Sequence, residues 1–187
     1  MLTAQARLLR HPLAPWSGPE LAISASCSVG RRGAGECRFE VEGALGRVVV
    51  PAGAAPARRD GLWRHTCFEM FVARSGEPGY REFNFAPSGD WAAYVFSGYR
   101  VVAPMPAVPA PAIQVLRTDT RLSLTALAGP GSWPDPAAGP LEVALAAVIE
   151  ADGGALGYYA LGHPAARPDF HDRRGFALSL GRAVTAS

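Results

Sequence analysis

The sequence predicts an all-β protein, a single-domain antiparallel β-sandwich of jelly-roll type. Three observations carry that prediction. Apolar segments are short, about 3 to 10 residues each, which suits strands rather than helices. Gly 21 and Pro 17 together make about a fifth of the 187 residues, and they cluster between those segments as turn punctuation. No segment carries the apolar spacing of a strong amphipathic helix. Many short strands without helices pack as a sandwich or barrel.

The expected strands, in order, are Leu21–Val29, Glu36–Glu42, Val48–Val50, Thr66–Ala73, Tyr80–Ala86, Trp91–Tyr99, Ile113–Thr118, Arg121–Ala128, Leu141–Glu150 and Leu156–Ala160. They are rich in Val, Phe, Tyr and Trp and alternate apolar with polar positions. Leu141–Glu150 is dominated by Ala and Leu and could pass for a helix. Pro140 before it and the Asp152-Gly153-Gly154 turn after it favour a strand. Between strands, Ala103–Ala112 alternates proline with small residues and reads as an extended crossover. Trp133, in the proline-rich loop Gly129–Pro140, reads as a plug on the core. The domain is expected to span 8–182, with 1–7 and 183–187 as tails.

Composition narrows the function classes. Hydrophobic residues make up 49% and charged residues 18%, enough to bury a core and too little charge for disorder. The net charge is +2, and all 18 basic residues are arginines scattered along the chain. No basic stripe for nucleic acid results. The N-terminus lacks the apolar stretch of a signal peptide, and no run of about 18 apolar residues could span a membrane. A cytoplasmic protein without membrane or nucleic-acid partners is expected. Cys27, Cys37 and Cys67 are odd in number with no CxxC pair, so reduced buried thiols are expected rather than a disulfide framework. No GxSxG or P-loop is present, and the Gly-rich GRRGAGE lacks the helix that a phosphate site requires.

The block from Arg59 to Arg100 reads as a three-stranded meander. Its first strand alternates Cys67, Glu69 and Phe71 with Phe68, Met70 and Val72. If the Ser75-Gly76-Glu77-Pro78 loop closes between Arg74 and Gly79, Glu69 falls opposite Asn84 and Phe71 opposite Glu82. That register gives a buried carboxylate an amide partner, whereas a one-residue slip puts Glu69 among phenylalanines. After the Pro87-Ser88-Gly89-Asp90 turn, Trp91, Tyr94, Phe96 and Tyr99 supply aromatic surface. Carboxylates and an amide beside aromatics suit a polar ring ligand: ring faces stack, and hydroxyls hydrogen-bond. Candidate ligand-binding residues are Trp63, Glu69, Glu82, Asn84 and Trp91. The competing reading is a polar strip that ties the structure together. Glu69 and Glu82 could also form a glycosidase pair.

WRHTCFEMF followed by YREFNFAPSGDWAAY is similar to the core block of the DOMON-like superfamily, which includes family 9 carbohydrate-binding modules. YYALGHPAARPDFHDRRGFALSL resembles the end of the same domain, and the likeness to a bacterial DOMON-like family runs from Leu8 to Leu180. In that resemblance Glu69 matches the strand acid, Asn84 and Gly89 match the hairpin, and Trp63 or Trp91 could be the stacking aromatic. The resemblance implies a β-sandwich that binds a carbohydrate or related ligand on a concave sheet face without catalysis. Its other branch implies a haem or redox module, for which Met70 and Met105 with His65, His163 and His171 are the conceivable ligands. An enzyme acting on sugar or cell-wall precursors is the third reading. No cofactor is expected; calcium enters only through the resemblance, with His163, Asp169 and His171 as metal candidates. A loop whose His and Asp side chains cap backbone groups is the simpler account of them.

Overall fold

A computed structural model of the chain describes residues 1–51 and 55–181. Thirteen strands form: β1 (Leu2–Arg10), β2 (Leu21–Val29), β3 (Gly35–Gly43), β4 (Val48–Val49), β5 (Cys67–Arg74), β6 (Tyr80–Phe85), β7 (Trp91–Gly98), β8 (Val101–Ala103), β9 (Ala112–Arg117), β10 (Arg121–Ala128), β11 (Leu141–Ala151), β12 (Leu156–Ala160) and β13 (Leu178–Leu180). Short 3-10 turns are the only helical segments among the described residues. None is long and apolar enough to cross a membrane.

The pairing runs β8-β7-β6-β5-β11-β12-β1-β2-β3-β10-β9, with β4 and β13 also on β11. All named strand pairs are antiparallel. β1 is the fold line. Residues 2–8 pair with β2, then Leu9 and Arg10 pair with β12, so one strand serves both sheets and the path doubles over. The inner faces meet in the core, where Phe39 of β3 and Phe68 of β5 lie with ring centroids 5.0 Å apart. The Cys37 thiol points at the Met70 thioether across the same gap. All three cysteines are free and buried.

Burial patterns show why the two sheets differ. β2, β3 and β10 alternate buried with more exposed positions, the mark of a sheet with one wet face. β5 and β11 are buried almost throughout, because their outer face is covered as well. That cover is a second apolar cluster of Phe71, Ala73, Tyr80, Phe96 and Ala144 from the sheet and Phe176 from the C-terminal segment. Leu141–Ala151 is therefore a strand, and its Ala/Leu-rich composition reflects burial on both sides.

Three expectations need correction or completion. Residues 1–7 are not a tail but belong mostly to β1, which pairs with β2 and then with β12 and so joins the sheets. The expected domain end at 182 and the tail 183–187 lie outside the described residues. β8 and β13, three residues each, are edge pieces the pattern does not reveal. Trp133 is the expected plug, 2% exposed and edge-on to Phe83.

Candidate functional site

The outer face of the second sheet is built by strand parity. Glu69 pairs with Asn84 and Phe71 with Glu82, as the turn length predicts. The ladder continues with Glu82 opposite Tyr94 and Asn84 opposite Ala92 on β7, and with Ala146 opposite Glu69 on β11. Cys67 faces Val148, which faces Tyr158 of β12. Side chains opposite one another share a face, so Glu69, Glu82, Asn84, Tyr94, Phe96 and Tyr158 all project away from the core. Small residues flank the acids: Ala92, Ala146 and Ala160 leave depth around Glu69 and Asn84.

Above this face the C-terminal segment brings Pro168, Phe170 and His171, the 3-10 turn at Leu62–Arg64 brings Trp63 and Arg64, and the β7–β8 corner brings Arg100. Together they enclose a cleft of about 620 Å³ with Glu69 and Glu82 in its lining. That is the size of a small-ligand site. Trp63 is 41% exposed and sits edge-on to Tyr94, ring centroids 6.1 Å apart.

The hydrogen bonding of the floor is incomplete. The Asn84 side-chain nitrogen donates to Glu82 Oε1 at 2.9 Å, not to Glu69. Glu69 Oε1 and Asn84 Oδ1 are buried without partners among the described residues. Burial, reinforced by the neighbouring Glu82 charge, pushes the Glu69 carboxyl well above the usual carboxylate range. Burial also raises Glu82, to about 7, against the opposing pull of the Asn84 bond and the Arg100 charge. Both acids thus hold a proton more readily than a free carboxyl does, and a protonated carboxyl can donate as well as accept.

His171 completes the site from the C-terminal side. Its Nδ1 lies 2.8 Å from the Tyr80 hydroxyl, which itself accepts the Arg100 backbone N–H at 3.1 Å. The hydroxyl therefore has its own proton to give to Nδ1, leaving Nε2–H directed at Glu82 Oε2, 3.7 Å away. Desolvation, with the Arg100 charge, lowers His171 to about 4 and keeps it neutral. Asp169 holds Arg100 Nη2 at 2.8 Å and accepts the Tyr99 hydroxyl at 2.6 Å, and its Oδ1 caps His171 N–H at 3.1 Å. Hydrogen bonds from Tyr99 and Arg100 keep Asp169 below its usual range despite its desolvation.

The predicted residues separate accordingly. Trp63, Glu69 and Glu82 line the cleft, and Asn84 lies buried beneath it. Trp91 does not belong there: it pairs with Phe85 and packs on the inter-sheet core. The metal candidates do not converge either. His163 bonds the Leu9 carbonyl at 2.8 Å and sits edge-on to His11, whereas Asp169 and His171 serve the loop and the cleft. Among the described residues no group of three His, Cys, Asp or Glu is placed to hold a metal. Met70 is in the core, on the face of β5 opposite Glu69. Tyr94 and Phe96 were recognisable as aromatic, and extending the register through the second turn places them on the Glu82 face in the same step that turns Trp91 inward. Arg100, Tyr158 and Phe170 have no comparable sequence signal.

No family model matches the chain, and no curated protein matches it. Among solved structures it is similar to the crystal structure of a "putative carbohydrate-binding protein" from Bacteroides uniformis ATCC 8492, with a TM-score of 0.57 and 14% identity over 93% of this chain and 84% of that one. At that identity the likeness shows a shared fold.

Proposed function

We propose that this chain is a non-catalytic binding module of the DOMON-like kind, whose outer-sheet cleft takes a carbohydrate or related polar ring ligand. The observation that carries the reading is the meeting, in one cleft, of aromatic walls with two buried carboxyls, one of which has an oxygen without a partner among the described residues. Buried polar groups without partners are rare because each costs about 1–3 kcal/mol, and a ligand hydroxyl relieves that cost. The exposed Trp63 offers the stacking surface, while Glu69 and Glu82 meet hydroxyls as donors or acceptors according to their protonation. The description of the similar solved structure points the same way.

The test is an NMR titration of the protein against soluble sugars, nucleotide sugars and muropeptide fragments. Saturable shifts at the Trp63 indole and at Glu69, Glu82 and His171 are expected, with the core-packed Trp91 and Trp133 indoles unmoved. No response at millimolar ligand sinks the reading.

A second reading, glycosidic bond cleavage, is favoured by one observation only: the two carboxyls, both raised above the usual carboxylate range, are diagonal neighbours in the lining of one cleft. Release of nitrophenol from aryl glycosides, abolished by Glu82→Gln, would establish it in place of simple binding.

A further inference from the structure

The floor of the cleft holds more acid than the protein itself neutralises. Glu69 Oε1 has no partner, and Glu82 Oε2 faces only the neutral His171 at 3.7 Å. The two guanidinium groups of the walls are engaged elsewhere. Arg100 is held by Asp169, and Arg64 lies against the Trp63 ring at 5.8 Å. A further carboxylate, Asp60, accepts the Tyr94 hydroxyl at 2.8 Å at the rim. Buried carboxyls are ordinarily paired with a cation, a metal or a full set of donors. This pair has none of these among the described residues.

We propose that the ligand of this cleft carries a protonated amine, as an amino sugar or similar aminated polyol does, with its ammonium group seated over Glu69 and Glu82 between the aromatic walls. The inference rests on the binding reading above and names the chemistry that the site selects. An ammonium supplies three donors, enough for the orphaned Glu69 oxygen and the free side of Glu82. Trp63, Tyr94 and Phe96 present aromatic surface, which favours an organic cation over a small metal ion. Binding ionises one acid of the pair, so the single ammonium charge is matched by one carboxylate, while the other carboxyl keeps its proton and serves as a hydrogen-bonding group.

The experiment is calorimetric and NMR titration of the full chain at pH 7 with D-glucosamine, N-acetyl-D-glucosamine, D-glucose and ethanolamine. Glucosamine is expected to bind at least about tenfold tighter than glucose, with N-acetylation removing the gain. Glu69→Gln and Glu82→Gln, each checked for an intact amide spectrum, should abolish that preference. If glucose and N-acetylglucosamine bind as tightly as glucosamine, the amine inference fails and the carbohydrate reading stands. If ethanolamine alone shifts the Trp63 indole, the amine inference stands and the carbohydrate reading fails. Silence of the cleft towards all four overturns both.

Discussion

Asn84 stands directly opposite Glu69 in the β5–β6 ladder yet gives its side-chain hydrogen to Glu82, two residues along its own strand, at 2.9 Å. The register that brings amide and acid together therefore leaves Glu69 Oε1 unpartnered at the bottom of the cleft. In a site shaped only for stability, the amide would close on the acid it faces.

Glu82 makes stability depend on pH. Its carboxyl rises from 4.5 to about 7 on folding. The folded state thus binds this proton more tightly, so the associated stability is present below pH 4.5 and is lost as pH rises through about 7. Glu82→Gln keeps the acceptor for Asn84 and removes the titration. Urea denaturation should show the variant gaining up to about 3 kcal/mol over the parent at pH 8 and little at pH 4. Equal destabilisation at both pH values contradicts the assignment.

His171 works in the opposite direction. Its folded value falls from 6.5 to about 4, so its contribution is present above pH 6.5 and is lost as pH falls towards 4. Between 4.5 and 6.5 the two groups oppose one another, and their combined effect on stability is nearly flat there. Carbon-13 shifts of the imidazole should report a neutral ring down to about pH 4; an ordinary midpoint near 6.5 would show that Arg100 and burial do not act on it.

The two tryptophans of the central block should behave differently. Trp63→Ala removes an exposed ring from the cleft and should weaken ligand binding while changing stability by less than about 1 kcal/mol. Trp91→Ala removes a ring packed on the core and should cost roughly 2–4 kcal/mol with ligand affinity retained. Denaturation midpoints and titrations on both variants check the contrast, which a reversed pattern would refute.

Gly33 holds the Trp133 plug in place. Its φ is +70°, and an added Cβ would fall 1.9 Å from the Trp133 carbonyl oxygen. The Gly33 carbonyl also accepts the Trp133 N–H at 3.1 Å. Gly33→Ala should cost about 2 kcal/mol or more in thermal unfolding, whereas Gly46→Ala, with open space around it, should stay within about 0.5 kcal/mol.

Much of the sheet was legible. Leu21–Val29 alternates cleanly because one face is wet, and its bounds can be read from the sequence without adjustment. Ser75 to Pro78 fixes the β5–β6 register because loop length sets which residues oppose one another. β1 was less visible: its alternation of Leu2, Ala4, Ala6 and Leu8 is shallow, and only Leu8 is fully buried. The three-residue β8 and β13 carry too little pattern to stand out and exist by pairing with β7 and β11. The aromatic character of Trp91 alone does not say which way its ring points; its pairing with Phe85 does.

The sequence by itself determined the strand class and the local β5–β6 ladder that lines up Glu69, Asn84 and Glu82, because these depend on side-chain alternation and on turns of a few residues. Only the tertiary structure decided that the outer face is roofed by Phe170, His171 and Phe176, and that Trp63, Arg100 and Tyr158 converge on it. His171 reaches the Tyr80 hydroxyl across 91 residues. Such a contact is fixed by how the sheets fold over at β1 and by which apolar surface remains to be covered, and neither is written in any local spacing.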